Sequence, residues 1–200
     1  MLFTDLTFFK NEPLKISNID EMGDIALEVS KFIFSCEKQC LVLVFGQELY
    51  NELEECFDDE NNLKEDTPDH LKWLIEGNSY EVTVGDVVKK KEWKGIVQKD
   101  AFKFNGADVE LKSSFIADYI YYHFMFNNRT STTGVGQVIL TAANSFTVSG
   151  FPKRIDAYNA FQMKVVGGLK NQTSLYEFLR DHKDDFPTWK PSHIKPKNKF

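Results

Sequence analysis

The feature that most constrains this chain is a run of bulky apolar residues at 109–127. Leu111, Phe115, Tyr119, Tyr122 and Phe126 fall on one helical stripe, and Ile116, Ile120 and Phe124 on another. Tyr121 and Met125 add apolar surface elsewhere. This spacing predicts a helix over roughly 109–127 that is apolar nearly all round. Such a helix is buried on several sides, at the centre of a core or at a subunit interface.

The rest of the chain must supply that burial. In order, the sequence predicts an extended arm over 1–16 and a helix starting near Asn18, with Glu21 completing a capping-box-like pair. Met22, Ile25, Val29, Phe32, Ile33, Cys36 and Cys40 then recur at helical spacing. A second helical stripe runs through Leu49, Tyr50, Leu53 and Phe57. A short helix follows the Asp66-Thr67-Pro68 start signal and stops at Gly77. Residues 79–106, with Tyr80, Val82, Val84, Val87, Val88, Ile96 and Val97 among three glycines, read as short strands or extended segments. Residues 128–151 read as a long loop. In it Val138–Thr141 and Phe146–Val148 are expected to pair around 142–145. A helix from Pro152 carries Ile155, Tyr158, Phe161, Val165 and Leu169, and a last short helix is capped by Ser174 and Glu177. A proline-punctuated tail closes the chain. The fold class expected is mainly α: a helical-bundle core with a small β or extended insertion, a long hairpin-like loop between two main helices, and extended N- and C-terminal arms. One domain, 1–188, carries a basic extended tail, 189–200.

Charge excludes some partners. The 200 residues carry 24 Lys plus Arg and 30 Asp plus Glu, a net of -6. General nucleic-acid binders need a cationic footprint, so that class is disfavoured. The tail holds Lys190, Lys195, Lys197 and Lys199 with no acid, which leaves 20 bases against 30 acids in the body. Glu48–Asp69 is a second concentration, ten acids with the single base Lys64. Three cysteines cannot make a closed disulfide framework. Cys36 and Cys40, four apart, share a helical face as small buried hydrophobes. The scattered histidines give poor support for a zinc site. His123 reads as a core or interface histidine and His182 as a helix-end residue. No phosphate-loop, nucleophile-elbow or H-E-x-x-H pattern occurs, and no apolar run reaches membrane-spanning length. No cofactor, metal, catalytic group or membrane contact is expected.

Four ordered segments carry a resemblance: L-V-L-V-F-G-Q-E-L-Y-N-E-L at 41–53, W-K-G-I at 93–96, S-S-F-I-A-D-Y-I-Y-Y-H-F-M-F-N-N-R-T-S-T-T-G-V-G at 113–136, and S-L-Y-E-F-L-R-D-H-K-D-D-F-P-T-W at 174–189. Together they span most of 20–189, and the aromatic run ending in T-T-G-V-G is the most specific. The chain resembles the head–tail connector (neck or ring) proteins of tailed phages infecting Bacteroidetes, including crAss-like phages. The Tyr158-Asn159 pair keeps the family's aromatic-Asn form. The acidic stretch at 54–66 and Gly167-Gly168 depart from its pattern.

The resemblance implies a non-enzymatic virion protein at the portal vertex, made in the bacterial cytoplasm. It implies a homo-oligomeric ring, usually twelvefold, that contacts the portal and adjacent neck or tail rings while genomic double-stranded DNA passes through the lumen without specific binding. Another tail-completion or tail-ring component is the alternative; a small enzyme or regulator is the remaining reading. A ring subunit needs two adhesive surfaces. Aromatic side chains suit them. The residues expected at subunit contacts are Phe115, Tyr119, Tyr122, Phe126, Thr132, Thr133, Gly134, Val135, Gly136 and Phe146. The tail residues Trp189, Lys190, Lys195, Lys197 and Lys199 are expected to dock on acidic surface of the portal or a neighbouring subunit. Part of the acidic surface is expected to face the DNA.

Overall fold

A computed structural model describes residues 2–17, 19, 23–105, 107–127, 130–133, 136–139, 151–168 and 172–197. Six α-helices and three two-stranded antiparallel hairpins occur among them. In chain order they are α1 (Asp24–Phe45), α2 (Gln47–Glu55), α3 (Asp69–Glu76), β1 (Asn78–Val84), β2 (Val87–Trp93), β3 (Gln98–Phe104), β4 (Ala107–Ser113), α4 (Phe115–Asn127), β5 (Thr130–Thr133), β6 (Gly136–Ile139), α5 (Phe151–Val166) and α6 (Leu175–Asp181). The protein is mainly helical, with the strands gathered between helices as hairpins.

Helix α4 is the centre. Phe115 through Tyr122 and Phe124 are all buried, and the helix packs against α1 on one side and α5 on another. Phe45 of α1 meets Phe115 edge-on at 6.5 Å, and Phe32 meets Phe124 likewise at 5.5 Å. Burying this surface is the main stabilising term, at about 1.5–3 kcal/mol for each large side chain taken from water. A polar tie adds register: Asp118, 3% exposed, pairs with Lys164 of α5 at 2.8 Å. Burial raises the Asp118 carboxyl, and the Lys164 ammonium opposes that rise. Removing either partner would leave the other charge stranded.

The expected helix at 109–127 is shorter than the spacing predicts. It starts at Phe115, and 107–113 form β4, paired with β3. Leu111 lies on that strand opposite Asp100 and is largely exposed. The reason is local. Ser114 is buried and its Oγ accepts the Ile116 N–H at 3.2 Å, an N-cap bond that stops the strand and opens the helix. Asn105, at φ +51, supplies the left-handed position where β3 turns toward β4.

Helix α1 likewise starts later than the sequence suggests, at Asp24 with Gly23 as its cap; Asn18, Glu21 and Met22 lie outside the described residues. It runs unbroken through 41–45 to Gly46, whose φ of +81 turns the chain into α2. The N-terminal arm is not wholly extended. Leu6–Phe9 form a 3₁₀ turn, and Phe8, Phe9, Leu14 and Ile16 are buried in the chain's own core. β5 pairs with β6, Thr130 opposite Ile139; the hairpin expected between Val138–Thr141 and Phe146–Val148 falls largely outside the described residues. Residues 140–150, and so Phe146, lie outside the described residues. Helices α3, α5 and α6 start and stop within a few residues of the sequence signals. Ser174 Oγ accepts the Glu177 N–H, as its capping pattern requires.

Candidate interaction surfaces

Three places stand out: two carry exposed apolar side chains, and one holds a segment of the chain through side-chain contacts. The first is the β1–β2 hairpin. Its register pairs Val84 with Val87 across the two-residue turn Gly85-Asp86, and Gly85 takes φ +62. This leaves Val84, Val87 and Val88 at 55–58% exposure, beside the exposed Lys89 and Lys90. The hairpin is fixed at its other end. Trp93 is buried and stacks on Phe178 of α6 at 5.8 Å; its Nε1 donates to the Leu74 carbonyl at 2.9 Å. Lys91 reaches both Glu177 and Asp181 at 2.7 Å, and Tyr80 Oη donates to Asp181 at 2.9 Å. Burial, reinforced by that carboxylate, raises the Tyr80 phenol, so it stays a donor. The hairpin base is therefore rigidly oriented while its apolar tip faces solvent.

The second place is the outer face of α1. Leu27 and Phe34, seven residues or two turns apart, are both exposed, Phe34 at 79%. Phe126 at the end of α4 is also half exposed. Leu27 and Phe34 together leave an apolar strip on the solvent side of α1.

The third is the seat of the C-terminal strap. Residues 189–197, in neither helix nor strand, lie across the body. Trp189 Nε1 donates to the Val44 carbonyl at 3.2 Å, and its ring meets Tyr176 at 5.2 Å. Lys190 pairs with Glu48 at 2.7 Å, alongside Gly46. Tyr176 Oη accepts the Ser192 N–H and donates to the Ser192 carbonyl, each at 3.2 Å. Ile194 is buried. The Asn159 amide holds Lys197 at both main-chain groups: Oδ1 accepts its N–H at 2.9 Å and Nδ2 donates to its carbonyl at 3.1 Å. The Lys197 ammonium sits 4.3 and 4.5 Å from the ring centres of Tyr122 and Tyr158 and donates to Tyr122 Oη.

These positions redistribute the residues expected at contacts. Phe115, Tyr119 and Tyr122 are buried within this chain's own core, and Phe126 is about half exposed. Thr132, Thr133 and Gly136 lie on the β5–β6 hairpin; Gly134, Val135, Phe146 and Lys199 lie outside the described residues. Of the tail residues, Trp189, Lys190 and Lys197 are held by this chain, and Lys195 is exposed. The exposed Phe34 and Leu27 escaped the sequence reading, although they fall off the buried α1 stripe by helical arithmetic. His123 sits among Tyr119 and Tyr122, and burial followed by the nearby Lys197 charge lowers its pKa, favouring the neutral ring.

Among the described residues, no group of three or more His, Cys, Asp or Glu side chains is placed to hold a metal ion, and no helix is long and apolar enough to cross a membrane. Comparison with family models, curated proteins and solved structures finds no match to this chain.

Proposed function

We propose that this protein is a structural subunit of a phage neck, a head–tail connector that assembles as a ring below the portal and forms part of the DNA conduit. The observation that carries the reading is the pair of exposed apolar surfaces on separate elements, the Leu27–Phe34 face of α1 and the Val84–Val87–Val88 tip of the β1–β2 hairpin. A ring closes through a heterologous contact, in which one surface of each subunit meets a different surface of the next. The aromatic run through T-T-G-V-G at 113–136 supports the same reading through its resemblance to connector proteins. Net charge agrees with a conduit: a body with ten more acids than bases repels phosphate, so DNA slides past it.

Native mass spectrometry and electron microscopy of the purified chain, alone and with a portal, test this. The expected result is a closed ring, twelvefold by the resemblance, that adds to the portal. A chain that is monomeric at every concentration and ignores the portal overturns the proposal. Binding to double-stranded DNA should be weak and without steep salt dependence.

A further inference from the structure

We propose that the seat of residues 189–197 is an exchangeable clasp that takes the same strap from a second copy of this chain, linking neighbours in the assembly. This rests on the reading of the protein as a self-assembling ring subunit and names how its copies are tied.

The grip carries the argument. Among the described residues, no main-chain group of 191–197 bonds another main-chain group. The strap is held by body side chains that bond its main chain: Tyr176 at Ser192, and Asn159 at Lys197. Two side-chain anchors fix its direction, Trp189 against Val44 and Tyr176 at one end, and Lys197 between Tyr122 and Tyr158 at the other. None of these contacts depends on which chain the strap belongs to. Recognition of an extended segment through main-chain bonds with pockets for alternate side chains is a general mode of peptide capture.

The connection favours exchange. Phe186 is buried against Phe178 and His70, so the chain is fixed there, and only Pro187 and Thr188 separate it from Trp189. Short hinges promote swapping of the element beyond them. Moving the strap out breaks one main-chain hydrogen bond, Trp189 N to Phe186 O at 3.2 Å, and every other contact is recovered in the neighbour's seat. Charge also favours it. The strap brings Lys190, Lys195 and Lys197 onto a body of opposite sign, which offsets the repulsion between two acidic copies.

The native full-length chain supplies its own probe. Lys190 and Glu48 lie 2.7 Å apart and are both exposed, so a carbodiimide joins them without a spacer. Light and ¹⁵N-labelled chains are refolded together in equal amounts, cross-linked, digested and read by mass spectrometry. Exchange predicts that about half of the Lys190–Glu48 peptide pairs join a light to a heavy partner, as random assortment of a swapped element requires. Pairs of one isotope only, or no Lys190–Glu48 product, overturn the clasp. Native mass measured on the same sample separates the two proposals. A ring with same-isotope pairs keeps the ring and rejects the clasp, whereas mixed pairs in a simple dimer keep the clasp and reject the ring.

Discussion

The carboxylate of Glu37, 1% exposed within α1, accepts the main-chain N–H of Phe3 at 2.7 Å and of Thr4 at 3.0 Å, and so fastens the N-terminal arm to the first helix. Burial pushes its pKa up to about 7, against the opposing pull of those two N–H groups. The folded state therefore keeps a proton on Glu37 that the unfolded chain gives up near the ordinary carboxylate value. Stability from this group is greatest below that value and is lost as pH rises to about 7, by ~3 kcal/mol at most. Asp118, also raised by burial, acts in the same direction. Urea unfolding followed from pH 5 to 8 should show stability falling with pH, and Glu37→Gln should flatten that slope. A slope unchanged by the substitution would remove Glu37 from the account.

The end of α3 and the end of β2 touch through two glycines. A Cβ on Gly95 would stand 2.6 Å from the Ile75 carbonyl oxygen, and one on Gly77 would stand 2.6 Å from that of Trp93. Both residues also have positive φ. Gly95→Ala should cost more than the ~1–3 kcal/mol of backbone strain alone. Gly85→Ala, where φ is +62 and no atom lies within 4 Å, should show the strain alone. Equal losses at both positions in chemical denaturation would count against this packing.

All three thiols are buried and unpaired, and burial raises each of their pKa values, most at Cys40. The thiolate is the reacting form. A thiol reagent at pH 8 should leave the folded protein largely unlabelled and modify three cysteines on unfolding. Rapid labelling of Cys36 or Cys40 in the native state would contradict the burial of α1, and of Cys56 the burial at the end of α2.

Loosening the strap's grip should be visible without unfolding the body. Asn159→Ala removes both main-chain bonds to Lys197, and Tyr176→Phe removes both to Ser192. Each should cost about 1–2 kcal/mol and speed amide exchange at Lys197 or Ser192 respectively. Protection unaltered at both amides would mean the strap is held elsewhere.

Substituting the hairpin tip separates assembly from folding. Val87→Asp with Val88→Thr should change monomer stability by no more than about 0.5 kcal/mol, as exposed positions do. The same pair should reduce assembly by at least tenfold in sedimentation. Phe34→Asp should act likewise from the other surface. Unimpaired assembly in both variants would relocate the contact.

Much of the fold was legible in local signals. Ser174 and Glu177 announced α6 because an N-cap acts over three residues and needs no partner. The start of α4 was missed because Leu111 sits at helical spacing from Phe115, so apolar periodicity ran on through β4. The turn at Asn105, followed by Gly106, was the available correction, since that dipeptide favours a hairpin. The contact surfaces were harder. Phe115, Tyr119 and Tyr122 read as interface or core alike, because an aromatic side chain looks the same in sequence whichever it fills. Among the lysines of 189–197, Lys190 meets Glu48 of the same chain, and charge in a sequence does not say which chain supplies a carboxylate.

The bond from Trp189 to Val44 spans 145 positions of sequence. At a synthesis rate of about 5–20 residues per second, the first helix waits roughly 7–30 s for that brace. Tyr158, Asn159 and Tyr176, which complete the seat, are themselves made only late in that wait, so strap and seat leave the ribosome almost together.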